Sequence, residues 1–193
     1  MTVRVMLVSP AMNQAAREHR FDDGASLDPA GLRQARAAAH SLPRADRHLC
    51  APTARSRETA AALGLDARPA SELHDLDVGA WQGLTLDEVT ATAPEAVATW
   101  LSDCTAAPHG GESVAALIDR IGTWLEAQGA DAGHVLAVAE PAVIRAAVVH
   151  ALDLPVTAFW RLDVQPLSLT KLSGRSRRWN LQCGLPLARG GGA

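Results

Sequence analysis

Residues 3–8, Val-Arg-Val-Met-Leu-Val, form a short apolar, β-branched run of the kind that builds a buried strand. A second such run covers 134–139, and a shorter one covers 47–52. Between them the period changes to that of helices. Over 27–42, Leu32, Ala35, Ala39 and Leu42 share one face, Asp28 is placed to cap, and Pro29 suits a first turn. Residues 53–63 read as a helix stopped by Gly64. Thr85 and Glu88 have capping-box spacing, and Pro94 opens a helix that carries Val97, Trp100 and Leu101. After Gly110-Gly111, a long amphipathic segment runs over 112–128 and ends at Gly129, and 142–152 is helical again. Residues 167–173 and 177–182 alternate as an antiparallel pair. Strands alternating with helices predict an α/β fold, a three-layer α/β/α sandwich with a mostly parallel central sheet. One domain is expected over 1–187, with a disordered tail at 188–193.

Composition narrows the function. The 193-residue chain carries a net charge of −3, with no basic patch or long charge run, so nucleic acid is not an expected partner. The run at 3–8 is too short for a membrane span or for the apolar part of a signal peptide. Cys50, Cys104 and Cys183 are odd in number and form no Cys-x-x-Cys pair, which points to free thiols in a reducing compartment. A cytoplasmic protein is expected. With no tyrosine and two phenylalanines, the core must use Ala, Val, Leu and the five tryptophans, which read as packing residues and not as a ligand cage.

Ligands of such sheets bind beyond the carboxyl ends of the strands. Here those positions hold Ser9-Pro10-Ala11, Arg55 and Glu140-Pro141, and a later loop adds Asp75. At these residues the chain resembles the histidine phosphatase superfamily, also called phosphoglycerate mutase-like. Ala-Pro-Thr-Ala-Arg-Ser-Arg-Glu-Thr-Ala at 51–60 resembles the family's Ser-Pro-x-x-Arg-Ala-x-x-Thr-Ala, with Arg55 at the phosphate-binding arginine. Asp75 and the following Gly-Ala-Trp-Gln-Gly-Leu-Thr resemble its acidic residue and Gly-x-Trp-Glu-Gly-x-Thr. Gly110-Gly111-Glu112-Ser113 and the region from Phe159 to Leu172 match two further segments. The segments come in the family's order and cover nearly the whole chain.

The resemblance also shows what is missing. The family's first strand ends in Arg-His-Gly, whose histidine becomes phosphorylated; here the triplet is Ser9-Pro10-Ala11. The family's nearby asparagine falls at Ala16, and its second histidine falls at Glu140. Pro10 offers no lone pair for nucleophilic attack, because its ring nitrogen is an amide. Phosphoryl transfer needs fixed positive groups around the equatorial oxygens. Ser9 supplies none, and Glu140 adds an opposing charge. Two unit charges about 4 Å apart interact by roughly 4 kcal/mol at an effective dielectric near 20. One charged hydrogen bond from Arg55 returns only about 1.5–3 kcal/mol. The ordinary phosphatase or mutase reaction is therefore expected to be absent.

Each remaining residue has two readings. Arg55 either binds an anionic ligand or pairs internally with Asp75 or Glu140. Asp75 and Glu140 are either an acid/base pair or carboxylates of a structural ion pair or a solvated rim. Ser9 is either a nucleophile without an activating neighbour or a strand-end hydroxyl bonded to backbone. His19, His74 and His109 are placed in loops bordering the pocket. No His-x-His or His-x-x-x-His spacing supports a metal there, and none is expected. Glu112 suits a carboxylate at a helix N-terminus, and Cys104 an inert thiol. No cofactor is expected. Two functions follow: a pseudo-enzyme that binds a small ligand or protein partner, or an enzyme using Asp75 and Glu140 as acid and base with Arg55 orienting an anionic group.

Overall fold

The structure is a computed structural model and describes residues 2–129, 133–175 and 177–183. The expected tail at 188–193 lies outside them. Six strands form one sheet: β1 (Val3–Val8), β2 (Arg47–Cys50), β3 (Arg68–Pro69), β4 (Gly133–Val138), β5 (Leu169–Arg175) and β6 (Arg178–Gln182). Their order is β3-β2-β4-β1-β5-β6. β3, β2, β4 and β1 run parallel, while β5 is antiparallel to β1 and β6 to β5. The sheet is therefore mixed, where a mostly parallel one was expected. The C-terminal pair forms as expected, but it extends the main sheet beside β1.

Alternation along β1 explains the layers. Val3, Val5 and Leu7 face one core with Leu117, Ile121 and Leu125 of α6 (Val114–Gln128) and Val143, Ile144 and Ala147 of α7 (Pro141–Ala151). Met6 and Val8 face the other, with Ala60 and Leu63 at the end of α3 (Ala54–Ala62). A strand covered on both faces needs this near-continuous apolar sequence. A third cluster, Val78, Trp81, Val89, Val97 and Trp100, forms beside the sheet where α4 (Leu86–Thr92) packs with α5 (Pro94–Ser102).

Local signals place most helix ends. The Asp28 carboxylate accepts from Gly31 N–H and opens α2 (Pro29–Ala38), which closes in a 3₁₀ turn over Ala39–Ser41. α1 (Gln14–Arg17) is one turn capped by Asn13. Thr85 and Glu88 make the full capping box of α4. At α6 the expected role of Glu112 is corrected. Ser113 caps the helix, and Glu112 instead takes both Nε and Nη2 of Arg120, at 2.8 and 2.7 Å. Hydroxyl caps suit the close geometry of that position.

Candidate functional site

Strand register brings the three expected positions to one edge. Val8 and Cys50 both pair with Val138, so the chain leaves β1, β2 and β4 at the same level. The residues that follow are Ser9, Ala51 and Ala139-Glu140.

The first is closed off. Ser9 is fully buried, and its hydroxyl donates to the Gln165 carbonyl and accepts from Ser168 N–H at 3.0 Å. It ties the end of β1 to the loop entering β5, the backbone role weighed for it. Ala11 is also fully buried, and its N–H donates to Thr59 Oγ1 at 3.1 Å. The Ser-Pro-Ala tripeptide is absent from the wall of the adjoining cleft, which on this segment begins at Asn13.

Glu140 occupies the centre. It is 2 % exposed and is the N-cap residue of α7, yet its side chain makes no capping bond to its own helix. It reaches instead to the N-terminus of α3. Thr53 Oγ1 and Ser56 Oγ donate to Oε1 at 2.7 and 3.0 Å, and Arg55 Nη2 pairs with Oε2. Thr53 meanwhile caps α3, accepting from Ser56 N–H. A helix N-terminus with an arginine and two hydroxyls is an anion site. Here the anion is the protein's own carboxylate. Of the two partners open for Arg55, the structure selects Glu140.

Beside this ion pair lies a cleft of about 640 Å3. Arg55, Asp75 and Glu140 line it, together with Asp22 and Arg145, which the sequence reading missed. Asp75 accepts from Leu76 N–H at 2.8 Å; burial first, then the charges of Glu140 and Asp22, push its carboxyl up to about 7. Burial and then Glu140 also raise Asp22. Arg145 lies one turn into α7, its guanidinium 5.8 Å from the centre of the Phe159 ring. Its Nε is buried without a hydrogen-bond partner, and no carboxylate of the described residues lies within ion-pair distance. Phe21, Trp100 and Trp160 supply an apolar wall, with the two indoles 4.6 Å apart edge to face. Those two tryptophans therefore both pack and face the cleft, where packing alone was expected.

Of the three loop histidines, only His19 borders the cleft. His74 Nδ1 lies 2.7 Å from the Asp75 carbonyl oxygen, and His109 is buried against Trp81 and Trp100. Among the described residues no group of three or more His, Cys, Asp and Glu is arranged to hold a metal. Cys50 and Cys104 are buried free thiols, and Cys183 is an exposed one.

The profile of the histidine phosphatase superfamily (branch 1) matches residues 10–183. The chain belongs to this superfamily. A bifunctional protein of Mycobacterium tuberculosis is 30% identical over 178 residues, covering 86% of this chain and 49% of its own length. The chain thus spans about half the length of that relative. Glucosyl-3-phosphoglycerate phosphatase of the same species is 36% identical over 151 residues, covering 66% of this chain and 67% of that protein. Among solved structures, a mycobacterial glucosyl-3-phosphoglycerate phosphatase in complex with VO3 superposes with a TM-score of 0.83 at 30% identity, over 93% of this chain and 96% of its own. A structure described as mycobacterial hydrolase 1 gives a TM-score of 0.84 at 28% identity, over 95% and 98%.

Proposed function

We propose that this protein is a pseudo-enzyme of the superfamily: it performs no phosphohistidine chemistry and uses its cleft to bind a small ligand. The observation that carries this reading is the Glu140 carboxylate, seated on Arg55, Thr53 and Ser56 at the α3 N-terminus. An incoming phosphate would compete with an anion that is covalently part of the chain and already satisfied by three donors. Pro10 supplies no nucleophile on the other side. Among the described residues no helix is long and apolar enough to cross a membrane. Three free thiols suit a reducing, cytoplasmic setting.

The second reading, acid/base chemistry by Asp75 and Glu140, draws support from the raised Asp75 carboxyl in an open cleft. It is weakened at Glu140, whose oxygens are both engaged and almost fully buried. The test is hydrolysis of an aryl phosphate, of sugar phosphates and of glucosyl-3-phosphoglycerate by the purified protein. No turnover above a protein-free blank is expected. Turnover that persists through purification and disappears in Arg55→Ala would overturn the proposal.

A further inference from the structure

The cleft wall carries charged groups of both signs. Asp22, Asp75 and Glu140 line it with Arg55, which Glu140 already engages, and Arg20, which pairs with Glu18 and Glu88. Asp22 and Asp75 both lie in the field of Glu140, and Asp22 also acts on Asp75. Neither aspartate has an ion-pair partner among the described residues. Arg145 likewise lacks a hydrogen-bonded carboxylate; Asp75 and Asp163 reach it only through their fields. Burial without a partner disfavours a guanidinium unless an acceptor arrives. Trp100 supplies an independent sign of the same deficit. It is 6% exposed, lines the cleft, and its indole N–H has no acceptor; the Trp160 N–H on the same wall is also unpartnered. The wall thus offers carboxylates that call for a cation, a guanidinium and two indole N–H groups that call for an acceptor, and aromatic surface.

Building on the ligand-binding reading above, we propose that the cleft binds a small zwitterionic aminocarboxylate with an apolar body, its ammonium at Asp22 and Asp75 and its carboxylate at Arg145. The apolar body lies against Phe21, Trp100 and Trp160. Such a ligand satisfies the carboxylates and the guanidinium at once, which neither an amine nor a carboxylic acid does alone. Inorganic phosphate is disfavoured, because its negative charge meets Asp22 and Asp75 while Glu140 already holds Arg55. The cavity of about 640 Å3 lies within the range of small-molecule sites.

Calorimetry on the intact protein tests this with L-phenylalanine and L-leucine as probes. Phenethylamine lacks the carboxylate, N-acetyl-L-phenylalanine lacks the ammonium, and inorganic phosphate is the anion control. At least one amino acid is expected to bind about tenfold or more tighter than either truncated probe. Arg145→Gln should reduce it to the level of phenethylamine, with partial recovery in Arg145→Lys. Asp22→Asn should reduce it to the level of the N-acetyl compound. Near-parental circular dichroism and melting will show that each variant is folded, and Arg145→Lys carries the test if Arg145→Gln is not. Phenethylamine binding as tightly as phenylalanine would overturn the proposal in favour of a plain cation site. Equal binding of the N-acetyl compound, or tighter binding of phosphate, would overturn it in favour of an anion site. No binding of either amino acid would also overturn it. Phosphatase turnover is a separate readout, so a failure here is distinguishable from failure of the pseudo-enzyme reading.

Discussion

Glu140, two residues past β4, and Arg55, in the first turn of α3, close on each other beside the cleft. Each belongs to a segment that leaves the same edge of the sheet beside the cleft, and the two side chains face one another. The pair is nearly dry, with the two side chains 3% and 13% exposed. Removing one partner of such a pair is costly, because the other is left as an uncompensated charge. Replacing either residue alone is therefore expected to destabilise the fold.

Restoring the nucleophile alone is not expected to restore catalysis. The triple variant Ser9→Arg, Pro10→His, Ala11→Gly leaves Glu140 on Arg55. It also forces a guanidinium into a fully buried position now filled by a hydroxyl bonded to the Gln165 carbonyl and Ser168 N–H. Turnover of an aryl phosphate should stay at the protein-free blank. The same triplet combined with Glu140→His is the comparison. Vigorous turnover in the triple variant alone would mean that Glu140 moves aside readily.

The strands and helices around the site were legible because their signals are local. β1 and β4 are mostly apolar runs, and Asp28 and Thr85 are side-chain caps with local signatures, whereas the sequence pattern places the cap of α6 one residue early, at Glu112 instead of Ser113. β3 was not legible: it has two exposed residues, Arg68 and Pro69, with no apolar pattern. The mixed sheet was missed for a different reason. The alternation of β5 and β6 predicts a pair but not the strand on which the pair docks. Within the site, Arg55, Asp75 and Glu140 were found through their motifs, and the choice between two carboxylates for Arg55 depended on side-chain direction. Asp22 sits in a loop without period. Arg145 carried a usable signal, since it lies one helical turn after Pro141 and so shares the face that looks beyond the strand ends.

Asp75 should make the folded protein lose stability as pH rises. Its carboxyl is raised to about 7 from an ordinary 3.8. The folded state therefore binds this proton more tightly than the unfolded chain, and its contribution is largest at low pH. That contribution is lost as pH climbs from about 4 to about 7. The size is on the order of 2–4 kcal/mol after allowing for solvent access. Asp22 shifts in the same direction, while Asp28, Glu88, Asp103 and Glu126 shift in the opposite one. The difference between parent and Asp75→Asn separates these effects. Asparagine keeps an acceptor for Leu76 N–H. Urea denaturation should find the two proteins nearly equal at pH 4 and the variant more stable by roughly 2 kcal/mol at pH 8. Parallel stability curves across that range would show that Asp75 stays ionised in the fold.

Glu140→Gln should give the cleft back its anion site. In the parent, Oε1 accepts from Thr53 and Ser56 and Oε2 pairs with Arg55, so the carboxylate leaves that guanidinium few free donors. Glutamine has one oxygen. If the oxygen keeps the two hydroxyls, the amide nitrogen is turned towards Arg55, and two donors then face each other without an acceptor. Phosphate or sulfate can supply it. A charged hydrogen bond regained is worth about 1.5–3 kcal/mol, and a negative charge is removed as well. Asp22 and Asp75 remain and oppose the gain. The net expectation is sulfate or phosphate binding about tenfold tighter than in the parent at low ionic strength, read by calorimetry or thermal shift. The gain should shrink as salt rises, because the cleft opens to solvent. Asp75→Asn added to Glu140→Gln should strengthen binding again. Weak and equal binding by parent and Glu140→Gln would show that Arg55 is not released. Tight phosphate binding by the parent would show that the anion site was never closed, and would favour the enzyme reading over the pseudo-enzyme one.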